Sequence, residues 1–326
     1  KQGFDECAQA SMDFESAMTG VAKTTDLTDE ELADMSDAIK AMSTEIPAST
    51  TEIAAVAEAA GQLGIQKDAL LDFTRVMTML GTATNMTAED AATALARFAN
   101  ITGMSADNYD RLGAVIVDLG NNFATTESEI TQMGTRLASG GKLAGLTEPQ
   151  IMALAAAMSS VGIEAEAGGT AMTQTLNAIE KAVANGSDAL QGFADVAGMS
   201  ADAFAETWNT DALGALTAFI RGLGNLDEQG ESAVLVLEDL GLKGIRQSNM
   251  LKSLALAADE MDSAVQTANT AWDENIALTN EANKRYATTQ SKLDMMQNAY
   301  NNLKVAVGDA FTPTLRDAYD AGTDIL

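Results

Sequence analysis

The chain has 326 residues, enough for one large domain or two to three ordinary ones, and 46% of them are hydrophobic, as in a typical globular protein. Its 47 acidic and 19 basic residues give a net charge of −28, which repels nucleic-acid phosphates and anionic lipid headgroups and so argues against direct nucleic-acid recognition. The chain has no histidine and one cysteine, which excludes an intrachain disulfide, a thiolate zinc site and any histidine-activated nucleophile within it.

The chain shows no targeting or membrane-spanning segment. It contains no run of roughly 18 apolar residues and does not open with a signal peptide, so we expect assembly in a reducing cytoplasm. It begins with Lys1, and Phe4 already belongs to a helical pattern. We therefore expect a piece of a longer protein or a processed product.

From the amino terminus onward the sequence repeats one unit: a capping residue, roughly fourteen residues of helical periodicity, and a glycine. Capping boxes, in which a Ser or Thr is followed three residues later by Glu, predict helix starts at Thr28, Ser49 and Thr126. No stretch shows sustained alternation of period two. The sequence therefore predicts an all-α protein, with a multi-helical bundle or layer of short helices over residues 1–246. A subdivision of this region into 1–140 and 141–246 is an alternative.

The stretch from Gly145 to Asn185 carries the most information. Thr147 and Gln150 predict a capping box with Pro149 in the first turn, and Ile151, Leu154, Ala155 and Met158 then share one helical face. A short connection leads to a second helix, and small residues there predict a helical hairpin with closely approaching helices. We take the residues of this connection as a core motif: Gly162, Ile163, Glu164, Glu166, Gly168 and Gly169.

No part of the chain has the pattern of a catalytic, cofactor or metal site. Residues i and i+2 of a helix point to different faces, so Glu164 and Glu166 do not predict a shared acid–base site; they favour the start of the next helix through its dipole. The Gly140-Gly141-Lys142 run lacks a phosphate loop's first glycine and its Ser or Thr, because Arg136 and Leu143 stand there. We predict no enzyme, no cofactor and no metal.

One pentapeptide, Gly-Met-Ser-Ala-Asp, occurs at residues 103–107 and again at 198–202. Each copy follows a predicted helix and supplies a serine cap for the next. The repeat has two interpretations, a recurrent stop-and-restart signal or a duplicated structural unit.

The pattern changes near Ser248, after which no proline or glycine occurs until Gly308. Apolar residues recur in steps of three and four, weaken between Asn280 and Lys292, and resume. This pattern predicts one long helix over residues 247–326, roughly 80–90 Å in length, that leads into a rod. Its seam either packs along the preceding helices or pairs with copies of itself, and it consists of Leu251, Leu254, Ala258, Met261, Val265, Ala268, Trp272, Leu293, Met296, Tyr300, Leu303 and Val307.

Several segments, in this order, resemble the tape-measure proteins of long-tailed bacteriophages and related prophage particles. The central stretch with its core motif carries the strongest resemblance. The others are residues 14–23, 36–64, 99–104, 112–121 and 240–244, and the tail from Leu293 to Leu315 with Leu303, Gly308, Phe311 and Pro313.

The resemblance implies an architectural role in the virion tail, assembled in the cytoplasm of a bacterial host. Such proteins lie in the tail-tube lumen and tail tip, set the length of the tube and leave it ahead of the DNA at ejection. The implied partners are further copies of the chain, as a trimer, tail-tip or baseplate-hub proteins, tail-tube proteins and tail assembly chaperones, with contact to the host membrane at infection.

Two other functions fit the same sequence. Met-rich apolar faces also suit a membrane-perturbing helical protein at the host envelope, although the polar faces are acidic and not basic. An acidic cytoplasmic scaffold is the second alternative. The acidity itself has two interpretations: it keeps the chain soluble, or it suits a lumen through which DNA slides without sticking.

Overall fold

The structure, a computed structural model, describes residues 2–226, 232–314 and 316–317. These residues form α-helices and one short 3-10 helix, with no strand in the described ranges, so the all-α prediction is confirmed. Leu315, from the tail segment that carries part of the resemblance, and residues 318–326, from the predicted long helix, lie outside the described residues.

The helices follow one another with short connections. Their bounds are α1 Gln2–Thr24, α2 Asp29–Glu45, α3 Thr50–Gln62, α4 Lys67–Ala83, α5 Ala88–Thr102, α6 Tyr109–Asn122, α7 Glu127–Leu143, α8 Glu148–Ser160, α9 Ala165–Asn185, α10 Asp188–Ala197, α11 Ala201–Thr210, α12 Ala212–Leu226, α13 Ala233–Asp239, α14 Ile245–Ala255, α15 Ala258–Glu274, α16 Ala277–Tyr286 and α17 Thr289–Asp309. The 3-10 helix, Ala106–Asn108, precedes α6.

The helix starts predicted from capping boxes are confirmed. The capping boxes of Thr28, Ser49 and Thr126 are all formed, each with both reciprocal hydrogen bonds. The two copies of the repeated pentapeptide differ. Ser200 caps α11 by accepting from Ala203 N–H at 3.2 Å, whereas Ser105 leads only into the 3-10 helix and makes no side-chain cap.

The packing of Cα atoms divides the chain into two compact units. The terminal unit combines the described residues up to Ala96 with those from Thr279 onward, and the central unit is Arg97–Leu278. This division runs across the boundary predicted at residue 246. Whether residues 1–246 and 247–326 fold independently of each other is a separate question, and the boundary at residue 246 stays a prediction in that sense.

The core of the central unit forms around α8. Every residue from Ile151 to Met158 is buried, so this helix is covered on all sides by its neighbours α6, α7 and α15. The sequence predicted one apolar face of four residues on this helix. More of the helix is buried than that face, because Met152 and the alanines between the four positions are buried as well.

In the terminal unit the first and last helices lie side by side. α1 packs between α3 and α17, with Phe14, Met18 and Val21 buried. Contacts of α17 with α1 advance together along both helices, from Lys304 with Glu6 to Asp309 with Ser11, so the two helices run parallel.

The single long helix predicted from residue 247 is wrong: the described residues there form four helices, α14 to α17. α14 ends at Ala255 with Leu256 as its C-cap residue, and α15 ends at Glu274 with Asn275 as its C-cap residue. Asn275 has a left-handed backbone (φ +53°), and its side-chain amide donates to Asp110 Oδ2 at 2.5 Å. Thr288 then caps α17 by accepting from Ser291 N–H at 3.2 Å. Polar side chains thus accompany the second and third of these breaks, where the absence of glycine and proline predicted continuity, whereas the first break, at Leu256 and Ala257, has no side-chain cap.

Candidate interaction surfaces

The core motif forms the connection between α8 and α9. Gly162 has φ +78°, and the Ile163 N–H donates to Met158 O at 3.1 Å, which closes the end of α8 in the left-handed turn that glycine favours. Glu164 is the N-cap residue of α9 and Glu166 lies in its first turn. Both carboxylates are exposed at the positive end of the helix dipole, as the sequence predicts.

The small residues of this region bring helices together, but the common partner is α7 and not the other arm of a hairpin. A Cβ at Gly141 would lie 2.8 Å from Ile151 Cγ1 of α8, and a Cβ at Gly140 would lie 2.8 Å from Thr173 Cγ2 of α9. From the other side, a Cβ at Gly169 would lie 2.6 Å from Arg136 Cβ of α7. Both α8 and α9 therefore make their extensive contacts with α7.

A cleft of about 740 Å³ opens beside the core motif, between α9 and the start of α14. Carboxylates of Glu164 and Glu166 line one part of it, and Ile245 and Arg246 line another. At its floor the Gln247 amide donates to Thr175 Oγ1 at 3.0 Å, a buried bond that ties α14 to α9. Ile245 is 81% exposed, and no pattern in the sequence marks it as a surface residue.

The first half of the predicted seam is used inside the central unit. Leu251 and Leu254 of α14 are buried, and α15 packs against α6 and α8. The other seam residues of α15 divide into buried Ala258, Met261 and Ala268 and half-buried Val265 and Trp272. For this half, packing along preceding helices is what the structure shows.

The second half of the seam lies on α17, which is attached to α2 through its polar side. The buried Asn298 amide donates to the carbonyl oxygens of Ser43 and Ala48, each at 2.9 Å. Residue 47 is proline, so the Ser43 carbonyl has no donor four residues on, and Asn298 replaces it. The Asn302 amide makes a parallel contact, donating to Lys40 O at 3.0 Å.

The apolar side of α17 faces outward. Leu293 is 50% exposed, Met296 63%, Tyr300 53%, Leu303 60% and Val307 41%. The structure thus separates the predicted seam into a buried half in the central unit and an exposed half in the terminal unit.

Ion pairs connect helices within each unit. Lys67 of α4 donates to Glu31 Oε1 at 2.7 Å, and this bond, with the Thr28 backbone N–H, lowers the pKa of Glu31 from 4.5 to about 2. In the same unit, a hydrogen bond to Glu6 raises the pKa of Lys304. In the central unit Arg221 bridges Asp259 and Asp262 of α15, at 2.7 and 2.5 Å.

The described surfaces were also compared with the requirements of metal binding, of acid–base chemistry and of membrane insertion. No group of three or more His, Cys, Asp or Glu side chains in the described ranges is placed to hold a metal ion. Burial raises the pKa of Asp118, whose carboxylate accepts a hydrogen bond from the Asn122 amide four residues along the same helix. Among the described helices, none has both the length and the apolar character that crossing a bilayer requires.

In the described ranges the chain is an all-α protein, and the features found there are surfaces at which helices pack. Comparison with known families makes this specific: the chain belongs to the family of phage-related minor tail proteins, which matches residues 36–237, more than half of its length. It is therefore a phage tail protein by family.

A curated relative is named "Probable tape measure protein" and comes from Halomonas phage phiHAP-1. It is 30% identical to this chain over 174 residues, which are 49% of this chain and 20% of the relative. The resemblance to tape-measure proteins is confirmed by the two comparisons together, while the match spans only a fifth of the relative. No solved structure matches the chain.

Proposed function

We propose that the chain is part of a tape-measure protein that sets the length of a phage tail tube. The observation that carries this proposal is the match, over 174 residues, to a relative that is named as a tape measure. Membership of the minor tail protein family supports it independently, because the family match reaches from α2 to α13.

In such a protein the folded helices and the extended helices have different roles. An α-helix converts residues into distance at about 1.5 Å per residue, but here helices fold back on one another in two compact units. The 21 residues of α17 span only about 30 Å. We therefore assign to these 326 residues the role of a folded body, with the measuring performed by extended helical sequence elsewhere in the longer protein.

The acidic surface supports a place in the tube lumen. A net charge of −28 prevents adhesion to DNA that passes through the same channel, so the protein leaves ahead of the DNA at ejection without holding it. Within the tail, the family implies contacts with tail-tip and tube proteins and with further copies of the chain, as a trimer. Assembly chaperones and the host membrane complete the partners that we propose.

Electron microscopy of tails from phages with in-frame deletions tests the measuring role. Deletions of helical sequence in the encoding gene, outside these 326 residues, should shorten tails by roughly 1.5 Å per residue removed. The matched deletion is one of equal length inside the central unit, for example of α8 and its flanking turns. It should abolish tail assembly instead of shortening tails, because α8 is buried on all sides. Tails of unchanged length in the first set would contradict the proposal.

A further inference from the structure

α17 is packed with its polar side inward. Successive residues of a helix advance by about 100° around its axis, so residues at 293, 296, 300, 303 and 307 share one side. The opposite side carries Asn298, Val305 and Gly308, and all three are buried. A surface helix ordinarily buries its apolar side, and the reversal here leaves the apolar side of α17 without a cover among the described residues of its own unit.

The outward apolar side extends beyond the helix. Phe311 continues it, and its ring meets the ring of Phe4 edge to face with centroids 5.1 Å apart. Large side chains have roughly 200 Å² of surface, so exposures near one half leave on the order of 100 Å² on each. The five seam residues with Phe4 and Phe311 thus offer several hundred Å², which approaches the ~800 Å² per partner of a standard interface. We call these seven residues the α17 stripe.

Charge permits a second copy at this surface. The carboxylates of α17, Asp294 and Asp309, lie away from the stripe, and the residues that border it on the described helix include Lys292 and Lys304. Lys304 is paired with Glu6 of α1 at 3.0 Å. Two copies of a chain with net charge −28 repel each other over most of their surfaces, and the stripe is a place where they meet with little such repulsion.

We infer that the α17 stripe is the surface through which a second copy of this chain binds, helix against helix. The steps of three and four between its residues are those of a coiled-coil interface, in which each apolar side chain enters a space between residues of the facing helix. The inference gives a specific surface to the self-association in the proposed function, and it is tested on the purified 326-residue chain without reference to tail length.

The first test compares two substitutions that place the same charge at equal exposure. Leu303 in the stripe is 60% exposed and Leu235 on α13 is 62% exposed. Sedimentation equilibrium should give the wild-type chain and Leu235→Glu the mass of an oligomer, and Leu303→Glu the mass of one chain. Unchanged helical circular dichroism in both variants shows that each is folded, as expected for surface positions.

A wild-type chain that stays monomeric would overturn the inference and leave the stripe to another occupant, such as a tail-tip protein. An oligomer that survives Leu303→Glu would overturn it as well, because the contact would then lie elsewhere. Neither result bears on the tail-length experiment, so the two proposals fail separately.

Cross-linking provides a second test at the middle of the stripe. Residue 300 lies midway between residues 293 and 307, so two facing helices bring their residues 300 together whether they run parallel or antiparallel. In a Cys7→Ser background, Tyr300→Cys should form a disulfide-linked dimer on oxidation, and Leu235→Cys in the same background should not. Equal cross-linking of the two would contradict a contact through the stripe.

Discussion

At the scale of single residues, Glu31 links two helices of the terminal unit. Its carboxylate accepts from the Thr28 backbone at the start of α2 and from Lys67 on α4, and its pKa is lowered to about 2. Because the pKa is depressed in the folded state, the ionised group stabilises the fold above about pH 4.5 and loses this effect as the pH falls towards 2.

Glu31→Gln should therefore lower the unfolding temperature at pH 7 and have a decreasing effect as the pH is lowered through this window. Thermal unfolding followed by circular dichroism at pH 7, 4 and 2.5 measures the difference from the wild-type chain. Glu30→Gln removes the same charge from the same helical turn and is the control. A difference for Glu31→Gln that stays constant on acidification would contradict the assignment.

Residues whose partners are near in sequence could be predicted, and residues with distant partners could not. The box between Thr28 and Glu31 is readable because it spans three residues, but nothing local indicates that Lys67 completes it. Asn298 shows the same limit. It lies in the C-terminal segment predicted to be a coiled coil, yet it replaces a donor that Pro47 cannot supply, 251 positions away in the sequence.

At the scale of helices, the closest approach of α1 and α17 depends on Gly308. A Cβ at this position would clash with the Cys7 carbonyl oxygen and lie 2.7 Å from Ser11 Cβ. Gly308→Ala gains about 1 kcal/mol of helix propensity, but forcing backbone apart in a packed contact costs about 1–3 kcal/mol. We expect a net loss of up to about 2 kcal/mol in the free energy of unfolding.

Urea unfolding of the purified chain measures this loss. Gly3→Ala is the matched control, because the same substitution on α1 has no atom within 4 Å of the added Cβ. It should be neutral or slightly stabilising. A Gly308→Ala variant as stable as Gly3→Ala would show that α1 and α17 do not approach as closely as described.

Helix type was predictable, whereas the partner of each helix was not. The same three-four spacing occurs on α15 and on α17, and one is buried against α6 and α8 while the other faces outward. Spacing defines a face but not what covers it. Two of the three breaks that divide residues 247–309 into four helices lie at Asn275 and Thr288, which make side-chain hydrogen bonds and are neither glycine nor proline. The third break, at Leu256 and Ala257, has no side-chain cap.

At the scale of the whole molecule, the terminal unit pairs the first and last helices of the described chain. α1 and α17 are joined by contacts between residues about 300 positions apart, such as Ser11 with Asp309 at 2.7 Å. Changes of pattern along the sequence indicate boundaries between neighbouring segments. They do not indicate that α1 and α17, at opposite ends of the described chain, pack together. The helical class was predicted correctly because class follows from periodicity, which is local in the sequence.

The net charge of the whole chain predicts how its stability responds to salt. Ion pairs such as Lys67 with Glu31 are exposed and solvent screening leaves each of them little effect on stability, while the uncompensated charge of −28 repels itself across the surface. Raising the ionic strength from about 0.01 to 0.15 M shortens the Debye length from about 30 to 8 Å, so it screens long-range repulsion more than direct pairs. We therefore expect the unfolding temperature to rise with NaCl.

The measurement uses the Leu303→Glu variant beside the wild-type chain, because screening also promotes association of acidic copies and association raises the unfolding temperature by mass action. Equal ionic strengths of NaCl and KCl should have equal effects if the cause is screening. A rise that occurs in the wild-type chain but not in Leu303→Glu would assign the effect to association through the α17 stripe. A fall in both would mean that the ion pairs between helices outweigh the repulsion of the excess carboxylates.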